Sequence, residues 1–180
     1  MHPDVQEILL TEEQIAQKVK ELGERISGDY RGNEILVVGI LKGAVIFMSD
    51  LIRHITVPLA IDFMAVSSYG KASESSGVVK ILKDLDQSIE GRHVILVEDI
   101  VDSGLTLKYM LENLSTRKPA SLKTCTLLDK PSRRQTDVVP DYNGFIIPDE
   151  FVVGYGLDYG EHYRNLKEIA VLKPEKYSNG

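Results

Sequence analysis

The chain has 180 residues, 43% of them hydrophobic and 27% charged, which suits one globular domain with a real core. Its 27 acidic and 21 basic side chains leave a net charge of −6. That excludes nucleic-acid binding by general basicity, because phosphate contacts need clustered Lys and Arg. A single cysteine excludes an intrachain disulfide, and no apolar run approaches the roughly 20 residues of a membrane span.

The first ten residues, MHPDVQEILL, are acidic and too short in apolar length for a signal peptide, so a cytoplasmic chain is expected. TEEQIAQKVKELGERISG then predicts a helix. Thr11 can cap it, Gln14 stands at capping-box spacing, and Gly28 is the expected stop. Ile15, Val19, Leu22 and Ile26 share one face. Residues 35–41 are almost continuously apolar, the pattern of a parallel strand covered on both faces. AVIFMSDLIRHI is apolar nearly all round and predicts a buried helix. LAIDFMAV predicts a second strand, and GVVKILKDL a third with Val79, Ile81 and Lys83 on one face. Between them, residues 67–77 carry nothing that can anchor a core and predict a mobile loop.

RHVILVED predicts a strand. LTLKYMLENLSTRK predicts a helix that buries Leu107, Met110, Leu111 and Leu114. LKTCTLLDK predicts the next strand, with Cys125 a small core residue and not a nucleophile. GFIIP, FVVGYGLD and IAVLKP are short strands or extended pieces. The alternation of strand and helix predicts an α/β fold, a mostly parallel central sheet flanked by helices. Ligands of such a fold bind beyond the C-terminal ends of the strands.

The stretch VILVEDIVDSGLTL, residues 94–107, falls at such an end. Glu98 and Asp99 close the strand, and the loop through Asp102, Ser103, Gly104 and Thr106 leads into a helix. Unpaired N–H groups and the helix dipole favour an anion there. Gly104 lets a phosphate approach the backbone, and Ser103 and Thr106 add hydroxyl donors. A bare D-S-G would read as a simple helix cap. Adjacent carboxylates at a strand end repel one another unless something hydroxylated or cationic satisfies them. A phosphate cradle lined by acids points to a sugar phosphate.

This stretch resembles the 5-phosphoribosyl-1-pyrophosphate signature of the type I phosphoribosyltransferases. GILKG (39–43), VSSYG (66–70) and FVVGYGLDY (151–159) resemble the hypoxanthine-guanine branch, particularly its short bacterial kind. The resemblance implies one domain over 1–180, with a core at about 30–140, a small hood from about 1–15 and 140–180, and a mobile loop at about 67–77 headed by Ser68 and Tyr69. It implies transfer of the phosphoribosyl group to N9 of hypoxanthine or guanine, giving IMP or GMP and pyrophosphate.

By the same resemblance, Glu98 and Asp99 hold the ribose hydroxyls, and Asp102, Ser103, Gly104, Leu105 and Thr106 wrap the 5′-phosphate. Asp102 is the proton-transfer group at purine N7. Leu41, Lys42, Gly43 and Arg164 meet pyrophosphate, and the peptide before this Lys is often cis in the family. Lys130 reads the purine O6; an ammonium only donates, so it favours a 6-oxo over a 6-amino group. Phe151 stacks on the base, Val152 supplies backbone contacts to its edge, and Asp158 lies beside it. Mg²⁺ is implied at Glu98, Asp99 and Asp158. Leu105 departs from mammalian relatives, which carry Lys there. The implied partners are the two small-molecule substrates, with neither nucleic acid nor membrane, in a homodimer or homotetramer. The rival readings are an RNA-binding regulator on the same fold, resting on Lys130, Arg133 and Arg134; a phosphoribosyltransferase for another base; and a non-enzymatic oligomerisation domain, which leaves the acids unexplained.

Overall fold

The computed structural model describes residues 1–68 and 79–178. Tyr69 and most of the expected mobile loop lie outside the described residues. In chain order the elements are β1 (Val5–Leu10), α1 (Glu12–Asp29), β2 (Ile35–Leu41), α2 (Val45–Ile52), β3 (Leu59–Ser68), β4 (Val79–Lys83), β5 (His93–Val101), α3 (Leu105–Ser115), β6 (Ser121–Asp129), β7 (Tyr142–Ile146), β8 (Val152–Val153) and β9 (Ile169–Leu172).

Six strands form the main sheet in the order β4-β3-β2-β5-β6-β7. All neighbours run parallel except β3 and β4. This is the mostly parallel α/β architecture expected from the sequence. The apolar runs of β2 and β5 divide by alternation between two cores. Val37, Ile95 and Val97 face the core under α1 and α2; Leu36, Val38, Val94 and Leu96 face the core under α3. A strand with a core on each side has no polar face, which is why those runs are continuous. On the edge strand β4 the alternation returns: Val79 is buried and Leu82 exposed.

α1 has the expected cap. Thr11 Oγ1 accepts from the Gln14 N–H at 3.2 Å and Gln14 Oε1 accepts from the Thr11 N–H at 2.9 Å. Ile15, Val19, Leu22 and Ile26 are buried. Gly28 does not stop the helix. The Tyr30 N–H closes a last turn on the Ile26 carbonyl at 3.0 Å, and the left-handed residue is Gly32 at φ 81°. α2 departs from the expected all-round burial. Phe47, Met48 and Leu51 are buried, but Val45 is 36% exposed, because the helix lies in an outer layer with only one face against the sheet. α3 buries Leu107, Met110 and Leu114, with Leu111 half-buried.

A second, three-stranded antiparallel sheet in the order β1-β9-β8 joins the two ends of the chain. The sequence reading gave residues 5–10 no strand. They form one because β9, from the far end of the chain, supplies the partner.

Candidate active site

β5 pairs with β6 beyond Val97: Glu98 lies opposite Thr126 and Val101 opposite Asp129. Glu98 and Asp99 therefore sit inside the strand, which runs on to Val101 instead of closing at Asp99. Both are half-buried. Burial, reinforced by the charge of Asp99, pushes the Glu98 carboxyl well above the usual range. Burial raises Asp99 as well, partly offset by the Ile100 N–H, which donates to Asp99 Oδ1 at 2.7 Å. These are carboxylates poorly served by the protein alone.

Asp99 also fixes its neighbour. A Cβ at Gly43 would lie 1.9 Å from Asp99 Oδ2, so any larger residue there must displace the Asp99 carboxylate. The loop is pressed from its other side by Gly156, at φ 100°, whose own Cβ would meet the Gly43 carbonyl oxygen at 2.3 Å. The Leu41–Lys42 peptide in this loop is cis.

The cradle is built at the start of α3. Its N-cap is Gly104, at φ 80° and ψ 0°, which has no side chain to cap the helix. The simple-cap reading reduces to Ser103, whose Oγ accepts from one N–H of the first turn. The first intrahelical bond runs from the Lys108 N–H to the Gly104 carbonyl at 2.9 Å, so the earlier N–H groups point out of the helix. Of these, Leu105 N–H has a long contact with Ser103 Oγ at 3.3 Å. Thr106 is half-buried beside them. The segment after β6 holds the loop from behind. The Gln135 N–H donates to the Ser103 carbonyl at 2.8 Å, and Arg134 Nε donates to the Asp102 carbonyl at 3.2 Å. Arg134 in turn pairs with Asp129 and the Val138 carbonyl.

Lys130 leaves the end of β6 with only 7% of its surface exposed. Its Nζ lies 3.8 Å from Asp102 Oδ1 and 3.9 Å from Asp149 Oδ1. Asp102, by contrast, is half-exposed at the mouth of the cradle. Phe151 stacks on Tyr177, with centroids 4.6 Å apart at 19°, and meets the edge of Tyr159. Val152 and Val153 are both buried in β8.

The turns after β8 bring the remaining charges together. Arg164 Nη1 donates to the Gly156 carbonyl at 2.7 Å and lies 3.4 Å from Asp158 Oδ1. Glu161 accepts from Lys42 Nζ at 2.9 Å and from Arg164 Nη2 at 3.2 Å. Lys42 and Arg164, far apart in sequence, thus converge on one point. His162, in the same turn, is exposed. Among the described residues no three His, Cys, Asp or Glu side chains group as a metal site. The donors present are hard carboxylate oxygens, which fit a divalent ion that takes most of its other ligands from a phosphorylated substrate.

Sequence reasoning missed Arg134 as the brace of the loop, Tyr177 as the partner of Phe151, and Asp149 and Glu161 as the acids facing the cations. Their only signals were an Arg, two acids and a Tyr near stronger motifs; their roles depend on contacts between distant segments.

The phosphoribosyl transferase domain family matches residues 5–160 of the chain. The hypoxanthine-guanine phosphoribosyltransferase of Bacillus subtilis is 55% identical over 179 residues, 99% of each chain. A crystal structure of a hypoxanthine phosphoribosyltransferase from Staphylococcus aureus superposes with a TM-score of 0.96 at 56% identity, covering 99% of this chain and 97% of that one. The hypoxanthine phosphoribosyl transferase of Trypanosoma cruzi superposes at 0.94 with 44% identity, again over 99% and 97%.

Proposed function

We propose how the residues share the work of a known reaction, since this chain belongs to the phosphoribosyl transferase family and transfers the 5-phosphoribosyl group to hypoxanthine or guanine in purine salvage. The C1′–oxygen bond to pyrophosphate breaks and the bond from C1′ to purine N9 forms. The products are IMP or GMP and pyrophosphate.

One observation carries the assignment. Asp102 opens from the anion cradle with its carboxylate 3.8 Å from the buried Lys130 ammonium. A phosphate at the start of α3 and a base reached by Lys130 would then flank Asp102, which moves the proton at purine N7. Lys130 donates to O6, and this favours oxopurines over adenine. The outward N–H groups of the first turn, with Ser103 and Thr106, hold the 5′-phosphate. Glu98 and Asp99 accept from the ribose hydroxyls. Leu41, Lys42, Gly43 and Arg164 bind pyrophosphate. Phe151 stacks on the base, Val152 lines its edge, and Asp158 lies beside it.

Mg²⁺ is the proposed ion, held by Glu98 and Asp99 through the sugar and by Asp158. When bound it supplies the positive field that an acidic protein lacks toward so anionic a substrate. The sheet β1-β9-β8 and its turns form the proposed hood over a core at about residues 30–140. The proposed assembly is a homodimer or homotetramer, with the exposed Val45 of α2 in its contact surface. No helix among the described residues is long and apolar enough to cross a membrane, and a cytoplasmic location is part of the proposal. The RNA-binding rival loses its basic cluster, because Lys130 is buried and Arg134 is bound to Asp129.

The test is nucleotide formation from 5-phosphoribosyl-1-pyrophosphate and Mg²⁺ with five bases offered separately. Hypoxanthine and guanine are expected to turn over; adenine and uracil are not. Xanthine sets the breadth of the site. Binding of the sugar pyrophosphate without turnover of any base would sink the enzymatic reading.

A further inference from the structure

Glu161 stands between the two cations that the proposed reading assigns to pyrophosphate. Its Oε2 accepts from Lys42 at 2.9 Å and its Oε1 from Arg164 at 3.2 Å. One carboxylate spans both side chains, as the oxygens of a diphosphate would. The backbone beneath it is unusual. Glu161 has φ 68°, between Gly160 at 58° and Tyr163 at 74° close by. A residue with a Cβ seldom adopts that conformation.

Backbone bonds keep the turn in place. The Glu161 N–H donates to Asp158 Oδ2 at 2.8 Å, and Tyr159 and His162 exchange a backbone pair at 3.2 and 3.1 Å. The turn thus aims the carboxylate at Lys42 without needing the carboxylate to hold itself together. Lys42, and then Arg164, keep the Glu161 carboxyl below its ordinary range. The Lys42–Glu161 pair is open to water, at 66% and 61% exposure, and such pairs are weak enough to exchange partners. Arg164 retains the Gly156 carbonyl and Asp158 if Glu161 lets go.

We propose that Glu161 is an intramolecular competitor for pyrophosphate. It occupies Lys42 and Arg164 in the free enzyme, yields them to the pyrophosphate of the substrate, and retakes them as the product leaves. The inference rests on the reading of Lys42 and Arg164 as the pyrophosphate subsite. The physical logic is that substrate and product present the same anion to the same cations. A competitor that weakens the hold on both speeds departure of the product at the expense of ground-state binding.

The test is binding of inorganic pyrophosphate, with and without Mg²⁺, to the whole enzyme and to Glu161→Gln and Glu161→Ala. Both variants are expected to bind it about three- to tenfold more tightly, with product inhibition by pyrophosphate sharpened by the same factor. Weaker binding in both would mean that Glu161 merely orients the cations, and unchanged binding that it is a bystander; either result overturns the proposal. Lys42→Ala separates the two levels. It is expected to weaken pyrophosphate binding. If it does so while the Glu161 variants show no tightening, the competitor role alone is wrong. If Lys42→Ala binds as the parent does, the subsite reading falls and the competitor with it.

Discussion

At Gly43 one methyl group decides whether two strand ends can meet. Its Cβ would overlap Asp99 Oδ2 at 1.9 Å, so Gly43→Ala must shift the Asp99 carboxylate or the loop of Lys42. Turnover should fall by about a hundredfold, as for a displacement of roughly 1 Å among reacting groups. Steady-state kinetics would check this; near-normal turnover would show that the contact does not position the site. Asp102 presents a different case. Its half-exposed carboxylate does not hold the cradle together; the Asp102 carbonyl does that, through Arg134. Asp102→Asn should therefore cut turnover by about 10²- to 10⁴-fold while sugar-pyrophosphate binding changes little. Equal losses in both would remove it as the proton-transfer group. The two acids at 98 and 99 were legible in the sequence because like charges side by side in an apolar strand need an external reason. Arg134 was not legible as a brace, because its bond to the Asp102 carbonyl, 32 residues away, exists only once β6 lies beside β5.

Among the elements, α1 was the plainest in the sequence, since its cap, box and apolar stripe are all local. Thr11→Ala removes the reciprocal cap and should cost about 1 kcal/mol in urea unfolding, with turnover unchanged. A loss of activity at equal stability would tie α1 to the site in a way its packing does not suggest. The end of α3 is tied to the segment after β4 by Arg117, which donates twice to Asp84, at 2.8 and 3.0 Å. Arg117 holds the Asp84 carboxyl below its ordinary value of 3.8. The sign follows: with a depressed folded pKa, the pair stabilises above the ordinary value, and the gain is lost as pH falls through the lower, folded one. Asp84 is half-exposed, so Arg117→Met should cost less than about 1 kcal/mol at pH 7. The variant and parent should converge in strong acid; a gap that persists there would assign the effect to the packing of the Arg stem.

For the whole molecule, the net charge has the same sign as the anions that must bind. The chain carries a net −6, and among its described residues no three acids, His or Cys group to trap a metal ion by themselves. On the proposed reading, a divalent ion arriving with substrate would serve the reaction and not the fold. Chelation should then abolish turnover and leave the thermal midpoint of the ligand-free chain where it was. A fall in the midpoint on chelation would reveal a structural metal instead. Pyrophosphate with Mg²⁺, binding only the folded chain, should raise the midpoint with concentration.

By itself the sequence determined the α/β class, the two-sided burial of β2 and β5, the capped first helix and the loop-to-helix turn at which the anion cradle is proposed. Each follows from residues within one segment: periodicity, a cap at fixed spacing, or acids beside a glycine at a helix start. Only the tertiary structure decided that residues 5–10 are a strand, that α2 keeps an open face, and that Gly28 is passed over. It alone brought Lys42, Glu161 and Arg164 to one point and set Tyr177 against Phe151. The physical reason is the same throughout. A strand, an ion pair or a stack needs a partner, and where the partner comes from distant sequence, only the packed chain supplies it.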